Sequence, residues 1–162
     1  MDNIVKVTMA DLKMAEPPNK IRTMGLGSCV GIILYDEKSH LCGMAHIMLP
    51  SSKLSKQGTL NRAKYADTAI EDLLLNLKKK QAPLFRLKAK MAGGAQMFTF
   101  ASSSEAMRIG PRNIEAVRTE LKTRNIPLIS EDVGGGNGRT IEFDPKTCLL
   151  EVRTVNKEVK TI

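Results

Sequence analysis

Tryptophan is absent from this chain of 162 residues, and only four phenylalanines and two tyrosines are present. Single-stranded nucleic acid is held largely by bases stacked on aromatic faces, so this composition equips the chain poorly for that task. The formal charge of +8 would otherwise point to phosphates. The basic residues form no arm, however: Lys78, Lys79 and Lys80 end a helical pattern, where cations complement the carbonyl end of the helix dipole. An acidic protein surface satisfies the same charge balance, and nucleic acid is not expected as a partner. Cysteine is scarce too. Cys29, Cys42 and Cys148 are odd in number and irregularly spaced, which argues against a disulfide framework and for a reducing compartment. No unbroken apolar run of signal-peptide or membrane-spanning type occurs, so a cytoplasmic protein without membrane insertion is expected.

What remains reads as one domain over residues 1–162, with no repeat, low-complexity tract or linker. "NIVKVTM" alternates as a strand and "EPPN" breaks it. "CVGIIL" is almost continuously apolar, "DEKS" makes a turn near residues 36–39, and "LCGMAHIML" returns antiparallel beside it. The polar stretch "PSSKLSKQGTLN" follows as a surface loop. Ala66, Ala69, Ile70, Leu73, Leu74 and Leu77 form one apolar stripe of a helix. "RLKAKMA" reads as a strand, with Gly93-Gly94 interrupting it before "AQMF". "IGPRNIEAVRTELKTRN" is a second helix with Pro111 in its first turn, Ile114, Val117 and Leu121 on its buried face, and Asn125 at its end. "PLISEDV", "RTIEF" and "CLLEVRTV" are further strands, separated by "GGGNG" and "DPKT". This order predicts an α+β fold of mainly antiparallel, sandwich-like sheets flanked by two main helices. Gly25-Leu26-Gly27 lacks a third glycine and precedes a strand, so it is no dinucleotide fingerprint.

Cys29 lies in "TMGLGSCVG", among three glycines. A free thiol has a pKa near 8.5, leaving only about 3% as thiolate at neutral pH, so a nucleophilic cysteine needs a base. The chain has two histidines. His40, in "EKSHL", belongs to a polar turn; His46, in "GMAHIML", is either a core histidine or a base pointing into a site. The hairpin sets the start of one strand against the end of the next, which pairs Cys29 with His46. Asp36 and Glu37 lie at the far end, so Thr23 is the candidate for the second imidazole nitrogen, through its hydroxyl or its carbonyl. Gly25 and Gly27 permit unusual backbone angles, and amides near Gly27, Ser28 and Cys29 could face an oxyanion. Other roles compete. Cys29 can be a buried structural thiol, the reading given to Cys42 and Cys148, each placed within an apolar strand. Cys29, His40, Cys42 and His46 fit no short zinc-knuckle spacing, and no metal is expected.

Taken in order, "TMGLGSCVGIILYD", "GMAHIMLP", "KYADTAIEDLL", "AGGAQMF", "IGPRNIEAV" and "EDVGGGNGRTIEFD" resemble the blocks of CheD, the receptor glutamine deamidase family of bacterial chemotaxis, over nearly the whole chain. The resemblance implies a Cys-His-Thr set on Cys29, His46 and Thr23, no cofactor, and a fold similar to the catalytic domain of cytotoxic necrotizing factor toxins. It further implies deamidation of glutamines on methyl-accepting chemotaxis receptors, and a complex with the CheC phosphatase. The alternative is a regulatory module that docks and stimulates CheC without chemistry of its own.

Overall fold

The computed structural model describes residues 3–56, 58, 60–96 and 108–162. Met97 and Phe98 of the "AQMF" segment lie outside the described residues. Among the described residues, ten strands form two five-stranded sheets. The first sheet joins β1 (Ile4–Val7), β3 (Lys20–Leu26), β8 (Arg139–Asp144), β9 (Leu149–Thr154) and β10 (Lys160–Thr161) in that order. The second joins β2 (Leu12–Ala15), β5 (Leu41–Ile47), β4 (Val30–Asp36), β6 (Lys88–Gly93) and β7 (Leu128–Val133). β1 with β3 and β6 with β7 are parallel, and the other neighbours are antiparallel. Two helices, α1 (Ala66–Lys79) and α2 (Ile109–Thr123), cover one face of the second sheet.

Strand β4 explains this layering. Val30, Ile32 and Leu34 pack with Ile70, Leu73 and Leu77 of α1 and with Ile114, Val117 and Leu121 of α2. The alternate residues Ile33 and Tyr35 pack instead with Ile141, Phe143, Leu150 and Val152 of the first sheet. A strand covered on both faces has no use for a polar alternation, and "CVGIIL" has none. Along β5 the same division puts Ala45 and Ile47 on the helix side and Cys42, Met44 and His46 between the sheets. The β4–β5 turn sits where the sequence puts it, with Asp36 opposite Leu41. Three strands carry no clear sequence signal: β2, β3 and β10. β2 and β10 are four and two residues long. The alternation of β3 ends in a bulge between Thr23 and Leu26, where Gly25 takes φ 72°. Cys148 departs from its expected place. It lies in the turn before β9 with φ 60°, not within the strand, because "DPKT" uses it to close the turn through a 2.7 Å bond from its amide to the Asp144 carbonyl.

The far end of the hairpin is held by charge. Asp36 is 1% exposed, and its carboxylate accepts from Arg86 Nε (3.1 Å) and Nη2 (2.6 Å) and from Ser39 Oγ (2.7 Å). Burial works to raise the Asp36 pKa, but these donors outweigh it and hold the carboxyl below its ordinary value. Arg86→Leu would strand a buried carboxylate, and a loss of about 3 kcal/mol is expected in urea unfolding near neutral pH. Asp36 favours folding above the unfolded carboxyl pKa of about 3.9, and its contribution disappears as pH falls through the depressed folded value. The deficit of the variant should therefore shrink in acid.

Candidate active site

Three elements meet between the sheets. β3 brings Thr23, β5 brings His46, and the loop from β3 into β4 brings Cys29. Thr23 and His46 are both buried. His46 stands opposite Gly31 in the β4–β5 ladder, and Cys29 lies two residues before Gly31, hence on the same face and diagonal to the imidazole. Gly31 leaves the space: a Cβ there would come within 2.6 Å of Ile141 Cδ1 and 3.4 Å of Thr23 Cγ2. The main chain of His46 is tied on its other side too, its amide donating to the Asp11 carbonyl (3.0 Å) and its carbonyl accepting from Ala10 N (3.1 Å).

The tautomer of His46 follows from proton counting. Thr23 Oγ1 is 2.7 Å from the Val7 carbonyl oxygen and 2.7 Å from His46 Nδ1. A carbonyl can only accept, so the single hydroxyl proton goes to Val7. Thr23 must then accept from Nδ1–H. That leaves Nε2 as the nitrogen bearing the lone pair, and it is buried with no hydrogen-bond partner among the described residues. Cys29 Sγ makes no hydrogen bond to it. Burial lowers the His46 pKa, with Asp11 opposing more weakly, and burial raises that of Cys29. Both shifts favour the uncharged forms, thiol and imidazole.

This has a measurable consequence for stability. Unfolded His46 takes up a proton near pH 6.5, whereas the folded ring resists it, so folding loses this contribution progressively as pH drops below about 6.5. The slope due to this one group is at most about 1.4 kcal/mol per pH unit. Urea unfolding of the wild type and His46→Gln between about pH 7 and pH 5 should show the steeper decline in the wild type.

The loop carrying Cys29 is tightly held through its carbonyls. Gly27 O accepts from Ala95 N (2.8 Å), Cys29 O from Gly94 N (2.8 Å), and Ser28 O from Asn113 Nδ2 (3.0 Å). The amides of Ser28 and Cys29, by contrast, donate to no other described residue. Of the two loop glycines, Gly25 is the one with a left-handed backbone, and a Cβ there would meet nothing within 4 Å. Gly93 is the tighter position: a Cβ would lie 2.3 Å from the Cys29 carbonyl oxygen. Arg139 Nη1 donates to Gly93 O (3.3 Å), and Gln96 N to Gly135 O (2.9 Å), so both glycine runs adjoin the Cys29 loop.

The remaining candidates go elsewhere. His40 lies in the turn just before β5, at the far end of the hairpin, and its Nδ1 contacts the Pro145 carbonyl oxygen at 3.0 Å. Cys42 is fully buried between the sheets, and burial raises its pKa strongly. Sequence reasoning did not find the Val7 carbonyl or Asn113. A backbone acceptor has no residue-type signal, but an asparagine between Gly110 and Ile114 on a buried helix face was a visible anomaly.

This arrangement can supply a thiol, a buried base of defined tautomer and free backbone donors beside the sulfur, the parts of a thiol-dependent acyl transfer. The chain belongs to the CheD family. The family described as "CheD chemotactic sensory transduction" matches residues 48–154, a span that begins after His46. Relatives extend the likeness over the site: chemoreceptor glutamine deamidase CheD of Halalkalibacterium halodurans is 58% identical over 100% of both chains. The protein of that name from Bacillus subtilis is 54% identical over 98% of this chain and 96% of its own. No helix of the described residues is long and apolar enough to cross a membrane.

Proposed function

We propose that this chain is a cytoplasmic protein-glutamine deamidase that converts glutamines of methyl-accepting chemoreceptors to glutamates, with Cys29 as nucleophile. The observation that carries the mechanism is the unpartnered Nε2 of His46, left as a base by the Val7–Thr23–His46 hydrogen-bond chain. The names of the full-length relatives supply the substrate.

Burial favours the uncharged form of each group, so in this mechanism the proton moves during attack. Nε2 takes the Cys29 proton as sulfur bonds to the carboxamide carbon, and the carbonyl oxygen becomes an oxyanion facing the amides of Ser28 and Cys29, in the loop that Gly25 and Gly27 shape. His46 then passes the proton to the departing nitrogen, the C–N bond breaks, and ammonia leaves a thioester. A water gives its proton to Nε2 as it attacks the thioester, and the proton returns to sulfur as glutamate departs. Thr23 keeps the ring oriented throughout. The thiol and imidazole must come closer than in the free protein, as catalytic hydrogen bonds commonly do once substrate is bound.

The test is mass spectrometry of a receptor cytoplasmic fragment after incubation with the chain. Amide-to-acid conversion at discrete glutamines is expected, and its absence would overturn the proposal. Measuring stimulation of a CheC phosphatase with Cys29→Ala in parallel separates docking from chemistry.

A further inference from the structure

We propose that Asn113 is a positioning residue for this site: its amide group ties the strand end carrying Cys29 to the strand end carrying His46. The inference rests on the deamidase reading for its kinetic consequence and on geometry for its cause.

The β4–β5 ladder runs out where the chemistry begins. Its last pair is Val30 with Ile47, so Cys29 and Met48, the next residues outward, are outside it. Met48 turns away, its amide donating to the Lys64 carbonyl (2.8 Å). Asn113 bridges the gap. Its Nδ2 donates to Ser28 O and to Met48 O, both at 3.0 Å, one acceptor from each strand end. The amide orientation follows from its neighbours, since the reverse placement would set Oδ1 against two carbonyl oxygens. Oδ1 is buried and has no partner among the described residues, so within them the group uses its donors and not its acceptor.

The Ser28 carbonyl belongs to the same rigid peptide plane as the Cys29 amide, with the two pointing in opposite directions. Anchoring one therefore aims the other, as well as setting the start of the Cys29 side chain. Asn113 itself cannot drift. It is fully buried in α2, whose approach depends on Gly110, where a Cβ would fall 2.3 Å from the Ala95 carbonyl oxygen. Ala95 and Gly94 in turn hold the Gly27 and Cys29 carbonyls. Helix, β6 extension and nucleophile loop thus form one continuous support, with the asparagine reaching across to β5.

Two variants test this. Asn113→Asp keeps the shape but turns the double donor into an acceptor, and Asn113→Leu removes polarity at similar volume. Folding is checked by thermal unfolding, and each folded variant is assayed for deamidation of the receptor fragment and for alkylation of Cys29 by iodoacetamide. The expected result is a fall in kcat on the order of a hundredfold, with KM little changed. Cys29 alkylation should slow to the rate seen in His46→Gln, and adding His46→Gln to either variant should slow it no further. A folded Asn113→Asp protein with wild-type kcat, or with alkylation that still depends fully on His46, would overturn the proposal. If Asn113→Leu fails to fold, the isosteric Asn113→Asp decides. Should the wild type lack deamidation altogether, the activity reading fails, while alkylation still judges the role of Asn113.

Discussion

Cys29→Ala is expected to slow amide-to-acid conversion on the receptor fragment by about 10⁴-fold or more, leaving the fold intact. In the proposed mechanism the thiol forms the covalent bond, and the Thr23 hydroxyl is no substitute because it spends its proton on the Val7 carbonyl. Whatever rate survives would come from binding and backbone donors acting on water. In the proposed mechanism sulfur and imidazole act as a unit, so their losses should not add, and the double variant Cys29→Ala with His46→Gln should be no slower than Cys29→Ala alone. The measurement is time-resolved mass spectrometry beside a urea unfolding curve. Conversion at near wild-type rate in folded Cys29→Ala protein would remove the thiol from the mechanism.

Gly93→Ala should damage stability and activity together. With φ at 113° and a Cβ placed 2.3 Å from the Cys29 carbonyl oxygen and 3.2 Å from Val30 Cα, the methyl group meets backbone that cannot rotate away. Positive-φ strain and overpacking each cost about 1–3 kcal/mol, so a loss of about 3 kcal/mol or more is expected in urea unfolding. The displaced atom is the carbonyl oxygen of Cys29, the proposed nucleophile. Molecules that still fold should therefore deamidate more slowly, on the order of a hundredfold. Gly25→Ala provides the contrast. It meets no atom within 4 Å, and its cost of about 1–2 kcal/mol is that of the left-handed backbone alone. Equal losses in the two variants would show that Gly93 matters only for its backbone angle.

Much of this protein can be read in its sequence. The stripes of α1 and α2 appear at helical spacing, and the apolar run of β4 announces a strand covered on both faces. Hairpin logic also brings Cys29 and His46 to one region, because the pairing of β4 with β5 depends only on where the turn falls. The strand β3 was hidden for a physical reason: its inward residue at the site is a polar threonine, and the bulge after it breaks the period.

Residue identity and local period were enough to determine the α+β class and the hairpin, since the strands, helices and turn each depend on neighbours a few residues apart along the chain. Tertiary structure decided which ring nitrogen is free, because the deciding oxygen is the Val7 carbonyl, delivered by a parallel pairing of β1 with β3. It likewise decided that Asn113 spans the strand ends, through contacts made 85 and 65 residues away in sequence. Hydrogen bonds depend on position to within tenths of an ångström, and only the packing of two sheets and a helix sets positions that finely.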